Sequence, residues 1–449
     1  MPKGVKDAAG FYQLSPAART EAAPGLRFDR GTLILEHCPA LPEGLDAWFR
    51  YDPRVDAWRA PACHYSAIIS TLKPWLAANR APRYGRLALT PDLAVEPYPH
   101  QHAALAAWRG AGGRGVVVLP TGAGKTLVGV LALCRAGRDA LVVVPTIDLL
   151  HQWYALLRLA FPAQEVGLLG GGYFETLPLT VATYDSAARH SDRLGNRYGL
   201  LICDEVHHLP SEFYRCIAEF SLAPYRLGLT ATPERSDGRH VDLDGLIGPT
   251  VYRRHPEELA GEVLAPFQLR PVYVELSAAE RRAYAEAIAA RDEFLRANRI
   301  GLGSLQGWNR FVMASAKSAA GRRAMQAHRQ ARRIAHATTA KLTALADILR
   351  QHAGERTVIF TDNNATAYEV SQRFLIPCLT HQTRVKERHA LLESFKDGTY
   401  TALVTSNVLN EGVDVPEASI GVILSGSGSQ REFIQRLGRI LRRRDGKQA

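Results

Sequence analysis

The central part of the chain alternates short apolar runs with longer amphipathic stretches. The apolar runs are residues 116–119, 140–144, 180–182, 200–203 and 226–229. Short continuous apolar runs are typical of parallel strands that are buried on both faces of a sheet. Because helical patterns separate the runs, residues 91–255 are predicted to form a doubly wound α/β domain.

A second α/β pattern lies near the C-terminus. Apolar runs at 357–360, 401–404 and 420–424 predict a parallel sheet in residues 341–449. The segment before it, residues 256–340, is predicted to be a linker followed by helices, because it is rich in Ala and Arg. Glycines at 301, 303 and 307 are expected to interrupt these helices.

The N-terminal region has a different pattern. Residues 1–25 show no sustained period and are predicted to be a flexible tail. Residues 26–90 contain strand-like pieces at 32–36 and 47–51, followed by a helical stretch predicted over 66–79. We therefore expect a small α+β domain ahead of the first α/β domain.

Composition excludes several classes of protein. The chain has 449 residues, of which 46% are hydrophobic and 22% charged, so it can bury sizeable cores. No apolar run approaches the roughly 20 residues of a membrane span, so no membrane partner is expected. The first residues lack the apolar segment of a secretory signal. Six scattered cysteines without a CxxC pair favour neither a disulfide framework nor a zinc site, and suit the cytoplasm.

Positive charge is concentrated in two segments. The net charge is +11, of which residues 281–350 carry +10 and residues 431–449 carry +5, so the remaining chain is mildly acidic at −4. A dense basic patch favours a polyanionic partner, with nucleic acid the first candidate. A solvated basic helix face, with no partner, is the other interpretation.

The strongest local motif reads Pro-Thr-Gly-Ala-Gly-Lys-Thr over residues 120–126, between a predicted strand and a predicted helix. Small residues in such a loop let backbone N–H groups surround a phosphate, and the helix N-terminus adds partial positive charge. The residues predicted to bind nucleotide here are Thr121, Gly122, Ala123, Gly124, Lys125 and Thr126. Lys125 is expected to reach the terminal phosphates, and Thr126 to supply a hydroxyl to Mg²⁺.

A pair of carboxylates ends the apolar run at 200–203. Asp204 is predicted to hold Mg²⁺, and Glu205 to orient and deprotonate the attacking water. Taken alone, an acidic strand end facing solvent would be the simpler interpretation. Its spacing from the phosphate-loop motif favours an ATPase. The adjacent His207 and His208 are interpreted as hydrogen-bonding residues.

With these motifs the chain resembles superfamily 2 helicases, and among them the XPB-type helicases of archaea and bacteria. The resemblance extends over roughly residues 26–445. The segments that carry it are Asp-Glu-Val-His at 204–207, Pro-Thr at 145–146, Thr-Tyr-Asp-Ser at 183–186, Thr-Ala-Thr at 230–232, Phe-Thr at 360–361, residues 405–416 and Gln-Arg-Leu-Gly-Arg-Ile-Leu-Arg at 435–442. It implies two RecA-like domains, an N-terminal damage-recognition-like domain and a helical thumb within 256–340.

The resemblance also implies roles for further residues. Gln101 would contact adenine, and Asp414 would contact ribose or couple the two domains. Gln435, Arg439 and Arg442 would complete the ATP site. The two arginines are three residues apart, which places them on one helix face. They would cross the cleft between the domains to neutralise charge on the transferring phosphoryl group, with DNA binding as the alternative role.

A sequence-independent track for DNA is expected on the opposite edge of the two domains. The predicted contacts are Thr146, Thr183, Arg235, Asp237, Trp308, Arg310, Thr361 and Thr405. Hydroxyl and N–H contacts to phosphates position a strand without reading its bases. Trp308, beside Phe311, is a candidate for base stacking, although a shared helical stripe favours a core role equally. In the family's Arg-Glu-Asp element, Ser236 replaces the acidic residue, which predicts weaker unwinding with translocation retained.

Together these features predict an ATP- and Mg²⁺-dependent DNA helicase or duplex translocase. The resemblance implies 3′ to 5′ polarity and a role in repair. By resemblance, we expect a monomer or a heterodimer with a nuclease, associated with the nucleoid of a prokaryote. Two alternatives remain open. One is a DNA-binding scaffold with weak ATPase activity that recruits a nuclease, and the other is the motor subunit of a restriction system.

Overall fold

The computed structural model describes residues 5–6, 12–13, 23–92, 96–235, 237–302, 305–406 and 417–425. The chain divides into two compact units, one formed by Met1–Leu119 with Gly124–Arg253 and the other by Pro120–Ala123 with Arg254–Ala449. Of the predicted site residues, Asp414, Gln435, Arg439 and Arg442 lie outside the described residues, as does Ser236. No helix in the described part of the chain is long and apolar enough to span a membrane.

The first unit begins with a small sheet. Its strands and helix are β1 (Val5–Lys6), β2 (Tyr12–Gln13), β3 (Gly25–Asp29), β4 (Thr32–Glu36), β5 (Arg50–Asp52), β6 (Ala57–Pro61), α1 (Tyr65–Leu72) and β7 (Ala78–Asn79). β1 and β2 pair with each other, and the other strands form a sheet in the order β5-β6-β4-β3-β7. The sheet is antiparallel apart from the β3–β7 pair. Leu222, from far along the chain, completes its core, so this sheet packs on the larger α/β fold that follows.

The helix predicted over 66–79 is shorter than expected. α1 ends at Leu72, Lys73–Trp75 form a 3₁₀ turn, and Ala78–Asn79 form strand β7. Pro74 explains the difference, because proline lacks the N–H that a helix interior needs and its ring clashes with the preceding turn. The strand-like piece at 47–51 is also shifted, since only Arg50–Asp52 pair as a strand.

The rest of the first unit is a doubly wound α/β fold. Its elements are α2 (Pro99–Gly110), β8 (Arg114–Val118), α3 (Lys125–Ala136), β9 (Ala140–Val144), α4 (Ile147–Ala160), β10 (Val166–Gly170), β11 (Tyr173–Phe174), β12 (Leu179–Thr183), α5 (Tyr184–Arg189), α6 (Ser191–Leu194), β13 (Leu200–Asp204), α7 (Cys216–Glu219), β14 (Tyr225–Thr230), α8 (Leu243–Leu246) and β15 (Thr250–Arg253). The eight strands are ordered β11-β10-β12-β9-β13-β14-β8-β15, parallel except for the β10–β11 hairpin. This confirms the predicted α/β class for the region.

A fully buried arginine stabilises the first unit. Arg226, on central strand β14, is 0% exposed. Its guanidinium donates to the carbonyl oxygens of Ala223 at 3.1 Å, Ser221 at 2.8 Å and Leu246 at 2.5 Å. Arginine stays charged in the interior, and hydrogen bonds to several carbonyls compensate for its lost hydration. The side chain therefore connects β14 to the segment that precedes it and to the end of α8.

The second unit contains helices followed by a smaller parallel sheet. Its elements are α9 (Pro256–Leu259), α10 (Ala278–Ala297), α11 (Leu305–Lys317), α12 (Ala319–His336), α13 (Thr339–Gln351), β16 (Thr357–Phe360), α14 (Asn364–Phe374), β17 (Cys378–Leu379), α15 (Val385–Asp397), β18 (Ala402–Thr405) and β19 (Ile420–Ile423). The described strands are ordered β17-β18-β16-β19 and all pair in parallel. The second α/β pattern is thus confirmed.

The helices α10 to α12 correspond to the predicted basic segment. The expected interruption falls between Ala297 and Leu305, whereas Gly307 lies inside α11. Alanines at three- and four-residue spacing, Ala324, Ala327 and Ala331, form the buried stripe of α12. Small side chains allow α12 to approach α10 closely, and they leave the arginines of α12 on its outer face.

Candidate functional site

The loop between β8 and α3 has the geometry of an anion site. α3 begins at Lys125, after Gly124 in the left-handed region at φ 76° and ψ 37°. As the N-cap residue, Gly124 has no side chain that could cap this helix start. The N–H groups of the first turn of a helix, together with the helix dipole, attract negative charge. The loop can therefore bind a phosphate group at the start of α3.

Gln101 forms hydrogen bonds both to the start of α2 and to this loop. Its Oε1 accepts a hydrogen bond from the Tyr98 N–H at 2.8 Å, and its Nε2 donates to the Gly124 carbonyl at 3.3 Å. A Cβ atom at position 124 would lie 2.2 Å from that Nε2, so only glycine fits there. Gln101 is 2% exposed. The predicted adenine contact is thus a residue that also holds the phosphate loop against α2.

Asp204 is buried at the end of β13 with a donor on each carboxylate oxygen. The Trp153 indole N–H donates to Oδ2 at 2.8 Å, and the Glu205 backbone N–H donates to Oδ1 at 3.0 Å. Burial raises the pKa of Asp204, while the Trp153 hydrogen bond and the nearby Lys125 ammonium oppose that rise. A carboxylate this buried benefits from a cation, because charge without a partner is costly in the interior.

Glu205 lies in a hydrogen-bonded group with the Thr-Ala-Thr segment at 230–232. The Thr230 hydroxyl lies 3.2 Å from Glu205 Oε2 and 3.1 Å from His207 Nδ1. It also accepts a hydrogen bond from the Thr232 N–H at 3.2 Å. His207 Nδ1 is 3.4 Å from the same Glu205 oxygen. The predicted base is therefore connected to the segment that the family resemblance assigns to coupling.

The donor set fits ATP with Mg²⁺. Lys125 Nζ donates to the carbonyl of Leu119, the residue before the loop, at 3.2 Å. Strand β14 lies between β8, which leads into the loop, and β13, which ends at Asp204. Thr126, half-buried in the first turn of α3, adds a hydroxyl. Carboxylate and hydroxyl oxygens are the ligands that Mg²⁺ prefers, usually with waters and substrate phosphates.

Two of the predicted DNA contacts are helix caps. The Thr146 hydroxyl accepts from the Leu149 N–H at 3.2 Å at the start of α4, and the Thr183 hydroxyl accepts from the Ser186 N–H at 3.3 Å at the start of α5. These hydroxyls organise helix N-termini, which are themselves suited to phosphate groups. In this structure the two hydroxyls cap helices, and their contact with DNA stays a prediction.

An exposed aromatic hairpin lies beside the same two helix starts. Gly170 is next to Thr183, and Gly171 is next to Ile147, the first residue of α4. Tyr173 and Phe174, in β11, are 53% and 67% exposed. The sequence reasoning missed them, although a run of three glycines followed by two aromatics is a signal for an exposed hairpin tip.

In the second unit, Thr361 and Thr405 are not at the surface. Both are 0% exposed. The Thr361 hydroxyl donates to the carbonyl oxygens of Asn363 and Thr405, at 3.1 and 3.2 Å, and the Thr405 hydroxyl donates to the Ser406 carbonyl at 3.0 Å. The Thr361 hydroxyl therefore joins the ends of β16 and β18, whereas the Thr405 hydroxyl bonds the next residue of its own segment.

Arg235 and Asp237 bind each other. Arg235 donates to both oxygens of Asp237, at 2.9 and 2.6 Å, and to the His207 carbonyl at 2.5 Å. The ion pair lowers the pKa of Asp237 to about 2. The arginine therefore connects the Arg-Ser-Asp element to the acidic motif, an arrangement that the sequence did not predict.

Trp308 and Arg310 differ in exposure. Trp308 packs in an apolar cluster with the fully buried Phe311, and its ring lies 5.2 Å from His328. This packing favours the core interpretation of the aromatic pair. Arg310 is exposed on α11. In the candidate ATP site, sequence reasoning missed Trp153, because its contact with Asp204 spans 51 residues of chain.

Three family models match successive parts of the chain. Residues 26–74 match the xeroderma pigmentosum group B helicase damage recognition domain, residues 94–235 match the type III restriction enzyme res subunit, and residues 340–444 match the helicase conserved C-terminal domain. The DNA 3′-5′ translocase XPB2 of Sulfurisphaera tokodaii is 42% identical over 351 residues, covering 78% of this chain and 80% of that protein. The chain belongs to the XPB family.

Bacterial XPB proteins are also similar, and they are longer. The DNA 3′-5′ helicases XPB of Kineococcus radiotolerans and Mycobacterium tuberculosis are each 34% identical to this chain over 74% of its length. The chain covers 54% and 55% of those two proteins. Family membership confirms the resemblance inferred from the helicase motifs, including two RecA-like domains. The roles of individual site residues stay predictions.

Proposed function

We propose that this chain is an ATP-dependent DNA translocase or helicase of XPB type with 3′ to 5′ polarity. The observation that carries the proposal is that β8, which leads into the phosphate loop, and β13, which ends in the acidic pair, flank strand β14. The Leu119 N–H donates to the Thr230 carbonyl at 3.0 Å, and the Thr230 hydroxyl lies 3.2 Å from Glu205 Oε2. Membership in a family whose relatives are named DNA 3′-5′ translocase and helicase supports DNA as the substrate.

The proposed chemistry assigns each residue one task. The loop N–H groups and Lys125 bind and orient the phosphates of ATP, and Asp204 with Thr126 holds Mg²⁺. When bound, Mg²⁺ neutralises charge on the phosphate oxygens. Glu205 accepts a proton from the attacking water as a general base. Because the Thr230 hydroxyl lies 3.2 Å from the Glu205 carboxylate, a shift of the 230–232 segment would change the position of that base.

On the first unit, we propose that DNA lies across the starts of α4 and α5. Two helix N-termini, capped by Thr146 and Thr183, offer N–H groups to successive phosphates. The neighbouring Tyr173 and Phe174 supply exposed aromatic surface for sugars or bases. Contacts of this kind do not read the base sequence, so binding is sequence-independent. The affinity for DNA falls as salt concentration rises.

On the second unit, the outer face of α12 is the proposed DNA-binding surface. Arg322, Arg323, Arg329 and Arg333 are all exposed there, and none has a carboxylate partner among the described residues. Unpaired guanidinium groups on one helix face attract phosphates.

A role in DNA repair is proposed on the match of residues 26–74 to a damage recognition domain. The restriction-subunit match ends at residue 235, within the first unit, and the damage recognition match favours XPB-type function over a restriction motor. A partner nuclease and a monomeric or heterodimeric state rest on the family resemblance alone.

ATP hydrolysis with different DNA substrates tests the proposal. We expect low ATPase activity without DNA and strong stimulation by single-stranded, duplex or forked DNA, followed by strand displacement on a fork with a 3′ tail. Stimulation by duplex without displacement would assign a translocase, as Ser236 predicts. An ATPase rate that no DNA changes would contradict the proposal and favour the scaffold with weak ATPase activity.

A further inference from the structure

Trp153 contacts Asp204 on one side and α3, the helix that follows the phosphate loop, on the other. It is 1% exposed on α4, and its indole N–H donates to Asp204 Oδ2 at 2.8 Å. On its other side, the ring packs against α3, the helix that begins with Lys125. A Cβ atom at Gly129 of α3 would lie 2.5 Å from the Trp153 ring, so glycine makes room for the indole.

The indole determines how the carboxylate is oriented. Because the Glu205 N–H holds Oδ1 and the Trp153 N–H holds Oδ2, the plane of the Asp204 carboxylate is set by two donors from different elements. Hydrogen bonds to a charged acceptor are about twice as strong as neutral ones. Groups that orient a metal ligand are a large part of metal affinity, and their loss typically costs about 10- to 100-fold.

We propose that Trp153 is a positioning residue of the ATP site, whose indole N–H holds the Asp204 carboxylate in the orientation that binds Mg²⁺. This inference rests on the proposed function and adds a residue to its ATP site. Trp153 follows Thr146, the N-cap of α4, by two helical turns. The same helix thus connects the proposed DNA-binding end of the unit with the Mg²⁺ ligand.

The test is Trp153→Phe, which keeps an aromatic ring against Gly129 and removes the N–H. The matched control is Trp108→Phe in the same unit. Trp108 is 2% exposed, and its indole N–H donates to the Arg226 carbonyl at 2.9 Å. Each variant therefore loses one buried indole hydrogen bond, but only one of them changes the ATP site.

Binding of a fluorescent ADP at varied Mg²⁺ concentration gives the first measurement. For Trp153→Phe we expect the half-saturating Mg²⁺ concentration to rise about 10-fold or more, with ADP binding in EDTA and DNA binding without nucleotide unchanged. Trp108→Phe should retain the wild-type Mg²⁺ requirement. A wild-type requirement in Trp153→Phe, or the same change in both variants, would overturn the proposal.

A spectroscopic measurement on the unmutated chain covers the case in which the variant does not fold. With 5-fluorotryptophan incorporated, the ¹⁹F resonance of Trp153 is expected to move when Mg²⁺ is added to the ADP complex, and not with ADP alone. The same resonance should stay fixed in Asp204→Asn. A Trp153 resonance that does not move when Mg²⁺ is added to the ADP complex would overturn the proposal.

A different result would contradict the proposed function itself. If the wild-type chain binds ADP without any Mg²⁺ dependence, the site assignment itself is wrong, and this inference falls with it. If binding depends on Mg²⁺ and on Asp204 but is unaffected by Trp153→Phe, only the role of Trp153 is wrong.

Discussion

Glu205 has a backbone conformation that non-glycine residues seldom adopt. Its φ of 46° and ψ of 54° lie in the left-handed region, which costs of order 1 kcal/mol for a residue with a Cβ. Such conformations persist where the surroundings impose them, often at active sites. Here the conformation places the Glu205 carboxylate, directly after β13, beside Thr230 at the end of β14. This is the position that the proposed chemistry assigns to the base.

Two substitutions separate nucleotide binding from chemistry. Lys125→Ala removes the cation at the phosphate loop, and we expect it to lose ATP binding. Glu205→Gln keeps the shape of the side chain but cannot accept a proton, so we expect ATP turnover to fall about 10²- to 10⁴-fold with ATP binding retained. Steady-state ATPase rates at saturating DNA, together with equilibrium ATP binding, measure both effects.

Glu212→Gln is the matched control for the base, because Glu212 is an exposed glutamate a few residues further along the chain. It should retain wild-type ATPase activity. DNA binding without nucleotide should be unchanged in all three variants. Turnover near the wild-type rate in Glu205→Gln would show that another group activates the water.

At the scale of single residues, the sequence predicts which groups carry charge but not what orients them. The phosphate loop and the acidic pair are local motifs, so Lys125, Asp204 and Glu205 could be identified from their neighbours in the chain. Trp153 could not, because its partner is 51 residues away. The hydroxyls of Thr361 and Thr405 were misplaced for a similar reason, since their burial depends on how two strands align.

At the scale of elements, buried strands were the most predictable part of the fold. The runs at 140–144 and 357–360 coincide with β9 and β16, because continuous apolar sequence is what a two-faced buried strand requires. β10 and β15 were missed. β10 includes Gly167 and ends at Gly170, and β15 is an edge strand without a fully buried residue, so neither shows the apolar signal as clearly.

Glu280 joins two helix starts in the second unit. Its carboxylate accepts from the Ser277 N–H at the start of α10 and from the Thr339 N–H at the start of α13, each at 2.9 Å. These hydrogen bonds lower the pKa of Glu280 to about 2. A carboxyl pKa that is lower in the folded state contributes stability above its ordinary value, and that contribution disappears as pH falls.

We therefore expect Glu280→Gln to be less stable than wild type at pH 6, with the difference closing between about pH 4.5 and pH 2. Urea unfolding measured at several pH values gives the comparison. Glu286→Gln, an exposed position on the same helix, should show no such pH-dependent difference. A difference for Glu280→Gln that does not change with pH would contradict the role of the ionised carboxylate.

At the scale of the whole molecule, the two units divide the charge unequally. The +10 of residues 281–350 belongs to the second unit, whereas the acidic motif at 204–207 and the start of α3 belong to the first. Residues 120–123 of the phosphate loop group with the second unit. The alanine stripe of α12 faces inward, so its arginines are left on the outside. The sequence predicted the amount of charge, and the structure adds that four guanidinium groups share one face without carboxylate partners among the described residues.

The salt dependence of DNA binding tests whether the outer face of α12 binds DNA. Replacing Arg322, Arg323, Arg329 and Arg333 together with Gln removes four positive charges. Because each phosphate contact releases counterions, the slope of log K against log salt should become shallower by about 0.9 for every arginine that contacts duplex DNA. The same four positions replaced with Lys form the control, since lysine retains the charge and should leave the slope near its wild-type value.

Two further measurements decide between DNA binding and a solvated helix face. Thermal unfolding should be similar in the Gln and Lys variants, because the four side chains are exposed. ATPase activity without DNA should be unchanged in both, whereas the DNA concentration for half-maximal stimulation should rise only in the Gln variant. An unchanged salt slope with unchanged stimulation would mean that α12 is a solvated basic helix, and that DNA binds this family member through other surfaces.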